Sequence, residues 1–126
     1  MKAAIFQGNK RYLIVEKETP RVTRPEEAVI QVKACAICGS DIDPYFLSPE
    51  ARGYVSGHEP AGIVTEIGDS VKDLAIGDSV VANAIVGCGR CGLSAAQLSK
   101  AFGARYPTMG FGIDGGFAEY LKVLHY

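Results

Sequence analysis

The chain has 126 residues, 48% of them hydrophobic, which suits one domain around a single core. Thirteen basic and fourteen acidic residues leave a formal net charge of -1. No global field then draws nucleic acid or an anionic membrane, and neither is an expected partner. The opening MKAAIFQGNKRYLIVEK carries charge too early for a signal-peptide core, and no apolar run approaches the roughly 20 residues that span a bilayer, so a cytoplasmic location is expected.

In chain order, Lys2 to Phe6 and Tyr12 to Val15 read as short strands, and Glu27 to Ala36 alternates apolar and polar residues with the period of two of a half-buried strand. Cys38 to Phe46 breaks that alternation, and Ser40 with Asp41 suits the cap of a short helix. Gly62 to Ile67 is a further β-branched run closed by Gly68-Asp69, and Gly77-Asp78 marks another turn. Ser94 to Phe102 places Ala95, Leu98 and Phe102 on one helical face, with Gly103 as the stop. Gly115 to Leu124 alternates again as a last strand. Short strands with regular turns predict a mainly β, partly open barrel with short helices, built as one domain over residues 1–126.

Four cysteines form two C-x-x-C pairs, a pattern that in a cytosolic chain favours metal or redox chemistry over a disulfide framework. Cys38 and His58 are ligand types that zinc prefers, and Glu59 adds an oxygen beside His58. A histidine in a β-rich chain also serves as a hydrogen-bonded structural residue, and Cys35 with Cys38 also suits a redox pair. A zinc knot of Cys35, Cys38, Cys88 and Cys91 is a further arrangement, although its gap is longer than usual. Gly57-His58-Glu59 leads into Gly62, Gly68 and Val71, where glycines would let the backbone turn tightly around a bound centre. Gly110, Gly112 and Gly115 match the spacing of a dinucleotide fingerprint, but a strand pattern follows them where the fingerprint needs a helix.

The segments CGSD (Cys38–Asp41) and GHEPAGIVTEIGDSV (Gly57–Val71) closely resemble the zinc-containing medium-chain alcohol dehydrogenases, whose catalytic domain is a GroES-like β-barrel. The resemblance runs from Met1 to about Cys91 and resumes at Gly110 to Val123. It implies that Cys38 and His58 ligate a catalytic zinc, that Glu59 can approach the metal, and that Asp41 orients the His58 ring. It also implies that Ser40 relays a proton from a small alcohol whose hydride passes to NAD or NADP. Asp43 stands where many relatives carry a histidine that continues the relay, so the proton exit is expected to differ.

Residues 88–109 depart further from the family. Relatives with a structural zinc carry four cysteines in this lobe, whereas Cys88 and Cys91 are followed by Ser94 and Phe102, and two thiolates cannot close a tetrahedral site. No βαβ pattern marks a Rossmann domain, and the third protein ligand that relatives supply later has no counterpart. The expectation is a GroES-like catalytic domain that is incomplete without a cofactor domain. A surface that such a domain normally covers would favour self-association. The alternative is a non-catalytic scaffold serving as a metal-binding or assembly module.

Overall fold

The computed structural model describes residues 1–85 and 108–124. Strand β1 (Lys2–Phe6) pairs antiparallel with β2 (Tyr12–Glu16) across a tight turn in which Gly8, Asn9 and Lys10 all take positive φ. The main sheet has the order β5-β4-β3-β8, formed by β3 (Glu27–Ala36), β4 (Glu59–Ile67), β5 (Ser79–Val81) and β8 (Tyr120–Leu124). All of its pairings are antiparallel. Two short strands, β6 (Thr108–Met109) and β7 (Gly112–Ile113), pair with each other, and helix α1 (Gly39–Leu47) is the one helix among the described residues.

Alternation decides the core. Ile30 of β3, Val64 of β4 and Leu121 of β8 project to one face and meet Met109, with Val32, Ile67, Val80, Ala82 and Val123 packed around them. Strand β1 closes against the segment before β8, where Ala4 N donates to Phe117 O and Glu119 N to Lys2 O. Among the described residues strand β2 has no ladder partner besides β1, so the barrel is open there, as expected.

Strand β3 is ten residues long and carries two register shifts against β4, after Val29 and after Val32. Such bulges bend a strand. Its first four residues are buried, while the end nearer Ala36 is largely exposed and leads directly into α1. At the buried end the Glu27 carboxylate accepts from Thr23 N, Thr23 Oγ1 and Arg24 N at 2.8, 2.9 and 3.0 Å, and from Arg24 Nε at 2.9 Å. Lys122 Nζ of β8 lies 3.3 Å away. Burial pushes this carboxyl up, but the Thr23 and Arg24 hydrogen bonds outweigh it and hold its pKa at about 2.

Four expectations shift in detail. Strand β4 begins at Glu59 rather than Gly62, because Glu59, Pro60 and Ala61 pair with Ala36, Cys35 and Ala34. Strand β8 begins at Tyr120, since Gly115 packs against the Gly57 and Ser56 backbone and Gly116 against the Pro60 and Cys35 side chains instead of extending a ladder. The cap of α1 is Cys38, not Ser40 or Asp41, which occupy the second and third helical positions. Gly62 and Gly68 do not ring a bound centre: a Cβ on Gly62 would strike Gln31 O, and one on Gly68 would strike Pro25 O, so both serve close backbone packing. The expected helix at 94–102, the pair Cys88 and Cys91, and most of the atypical lobe at 88–109 lie outside the described residues.

Candidate metal centre

Two elements converge on the site. Helix α1 starts at its rim because Asp41, at the third helical position, accepts from Cys38 N at 2.9 Å and anchors the first turn. That bond holds Cys38, Ser40 and Asp41 on one turn. Across from it, Gly57, with φ of 89°, swings the chain so that His58 points inward and Glu59 opens β4.

Residues 110–117 form the floor beneath Gly57. Gly116 N donates to Gly57 O at 2.8 Å, and Phe117 N donates to Ser56 O at 2.9 Å. A Cβ built on Gly115 would lie 2.0 Å from Gly57 O, and one on Gly57 would enter the Phe117 ring. Asp114 fastens the same loop by accepting from Val55 N at 2.8 Å while pairing with Lys17 at 2.6 Å. Gly110 and Gly115 therefore seat the histidine loop. Strand β8 follows them, where a dinucleotide fingerprint needs a helix.

On this frame the ligand atoms of Cys38, His58 and Glu59 all lie within 4.8 Å of one another, the only grouping of three such residues among those described. His58 is buried, Cys38 half-buried and Glu59 exposed. Ser40 Oγ lies 3.2 Å from His58 Nε2. The other ring nitrogen, Nδ1, faces Asp41 Oδ1 at 3.4 Å, beyond good hydrogen-bond length, and is buried without a closer partner. One carboxylate thus spans the helix start and the imidazole. Cys35 is a free thiol outside this grouping, and burial pushes its pKa up, which disfavours the thiolate that a redox pair needs.

The donor set suits zinc, which binds sulfur, nitrogen and carboxylate oxygen together, and an imidazole whose far nitrogen faces a carboxylate is a common ligand arrangement. Asp43 is exposed on α1. Tyr45 packs with Phe6 and Tyr12 at centroid spacings of 6.3 Å each, in an aromatic cluster rather than at the ligand grouping. Sequence reasoning missed Phe111, whose ring lies 4.9 Å from the His58 ring, and Arg52, which stands over Phe111. No local periodicity marks either residue.

The model of the alcohol dehydrogenase GroES-like domain matches residues 24–126. An uncharacterized zinc-type alcohol dehydrogenase-like protein, AdhB, of Bacillus subtilis is 35% identical over 98% of the chain. L-threonine 3-dehydrogenase of Caldanaerobacter subterraneus is 38% identical over the same share. The chain spans 36% and 37% of the lengths of these relatives. Among solved structures, the alcohol dehydrogenase TADH of Thermus sp. ATN1 superposes with a TM-score of 0.84 at 31% identity, over 98% of this chain and 37% of that one. The motif order, the open barrel and these matches agree, and the chain belongs to the alcohol dehydrogenase GroES-like domain family.

Proposed function

We propose that this domain holds a catalytic zinc through Cys38 and His58, with Glu59 able to approach it, and oxidises a small alcohol in concert with a nicotinamide-binding domain. The observation that carries the reading is the convergence of the Cys38, His58 and Glu59 ligand atoms within 4.8 Å beside the Ser40 hydroxyl. A zinc ion held there supplies Lewis acidity toward a hydroxyl, and NAD or NADP supplies the hydride acceptor. Ser40 takes the substrate hydroxyl proton at Oγ, for which its exposed position at the rim is suited. The Asp41 carboxylate, facing Nδ1 at 3.4 Å, favours the tautomer with its proton on Nδ1, which makes Nε2 the ligand atom. Asp43 offers an exposed carboxylate one turn along α1 for the proton's exit.

Ile37, Leu47 and Phe46, exposed by 72, 78 and 57% at the two ends of α1, favour a second role for this region, as a surface covered by a cofactor domain or by a second copy. On its own, that role makes the chain a scaffold rather than a complete enzyme.

Zinc analysis of protein purified without chelator tests the reading. About one zinc per chain is expected, lost in both Cys38→Ser and His58→Ala. Full zinc retention in both variants would overturn it.

A further inference from the structure

Arg52 stands one aromatic ring away from His58. Its guanidinium carbon lies 5.3 Å from the centroid of the Phe111 ring and 5.6 Å from that of Tyr54. Phe111 in turn lies 4.9 Å from the His58 ring. The guanidinium is thus no farther from the imidazole than the 4.9 and 5.3 Å spacings laid end to end. Its backbone is pinned by Arg52 N donating to Phe6 O at 2.8 Å. The side chain is half-buried, and among the described residues no carboxylate pairs with it. Aromatic faces orient a guanidinium but leave its in-plane N–H donors unused. Those donors match the geometry of a phosphate or carboxylate.

We infer that Arg52 is a specificity-determining residue that receives the anionic end of a phosphorylated or carboxylated polyol whose hydroxyl sits at the Cys38 and His58 site. This inference rests on the reading of that site as the alcohol-oxidising centre. Phe111 contacts both groups, the imidazole at 4.9 Å and the guanidinium at 5.3 Å, and so sets the spacing between hydroxyl and anion that a substrate must match. A neutral alcohol would leave the guanidinium donors to water.

The test is a calorimetric titration of the full chain with glycerol 3-phosphate and with glycerol, in zinc-loaded and zinc-free protein. Glycerol 3-phosphate is expected to bind at least about tenfold more tightly than glycerol, because a charge-assisted bidentate contact is added. Arg52→Gln should abolish that preference without changing zinc content, and Arg52→Lys should keep part of it, since the charge remains and the fork is lost. In the NMR spectrum of the unmodified chain, the Arg52 Nε–H resonance should shift with the phosphate ester and not with glycerol. A preference that survives Arg52→Gln, or no preference at all, would overturn the inference. So would displacement of glycerol 3-phosphate by AMP at lower concentration, which would assign the guanidinium to a nucleotide. Failure of the alcohol-oxidising reading is read separately: zinc would then leave glycerol affinity unchanged, whatever the phosphate ester does.

Discussion

The two ends of β3 solve the problem of a polar cluster in opposite ways. At one end, Glu27 is 1% exposed, and its carboxylate is surrounded by donors from Thr23, Arg24 and Lys122. At the other, the chain runs into Cys38, where a thiol, an imidazole nitrogen and a carboxylate face one another with few bonds among themselves. The first cluster is closed, since every demand on the anion is met by the protein. The second is open, because its three ligand atoms converge within 4.8 Å and the His58 Nδ1 beside them is buried with no partner closer than Asp41 at 3.4 Å. Burying a polar group without partners costs free energy. A fold tolerates that cost where a ligand repays it, so the open cluster is where function is to be sought.

The largest way to break this contrast is to deform the floor of the open end. Gly115→Ala places a methyl group 2.0 Å from Gly57 O, against backbone that cannot turn aside. A loss of roughly 3 kcal/mol in unfolding free energy is expected from such overpacking, measured by urea denaturation, with weakened zinc binding in whatever remains folded. Asp41→Asn comes next. The amide is close in shape but removes the negative charge that serves Cys38 N and His58 Nδ1, and zinc affinity should fall about 10- to 100-fold in a chelator competition.

At the closed end, Glu27→Gln should lower stability by about 1–2 kcal/mol at neutral pH, a modest value because Arg24 and Lys122 can turn toward water. The sign of its pH dependence follows from the depressed pKa. The charged carboxylate stabilises the fold above its ordinary value of 4.5, and that stability drains away as pH falls from there toward about 2. Thermal melts over that range should show a steeper acid decline in the parent chain than in Glu27→Gln. The smallest effect belongs to the outer face of α1, where Leu47 is 78% exposed. Leu47→Ser should alter stability by no more than about 0.5 kcal/mol and leave zinc content unchanged, while lowering any self-association seen by sedimentation.

Much of the frame was legible because it rests on local patterns. The alternation of Glu27 to Ala36 is β3 residue for residue, and the break at Cys38 is where α1 begins. Cys38, His58 and Glu59 were named as ligand candidates from residue type and motif, and the fold brings their ligand atoms together. What escaped was long-range. Nothing near His58 announces that Gly115 must lack a side chain, because the constraint comes from Gly57 O, distant in sequence. The same holds for Phe111 and Arg52, which meet only through the fold. The cap was misassigned for a simpler reason: serine and aspartate are the commoner capping residues, yet here Asp41 reaches back to a cysteine.

The dependence of His58 on residues 110–117 has a consequence for the order of events during synthesis. Asp114 holds Val55 across 59 positions of sequence, so the histidine loop has no seat until that later stretch leaves the ribosome. The contact that holds Cys38, its N–H on Asp41, spans only three residues. A nascent chain therefore displays the sulfur well before the imbedded nitrogen, and metal captured early would be held by one side chain and readily lost. Slow closure of such a distant contact makes completion of the centre a late event in folding.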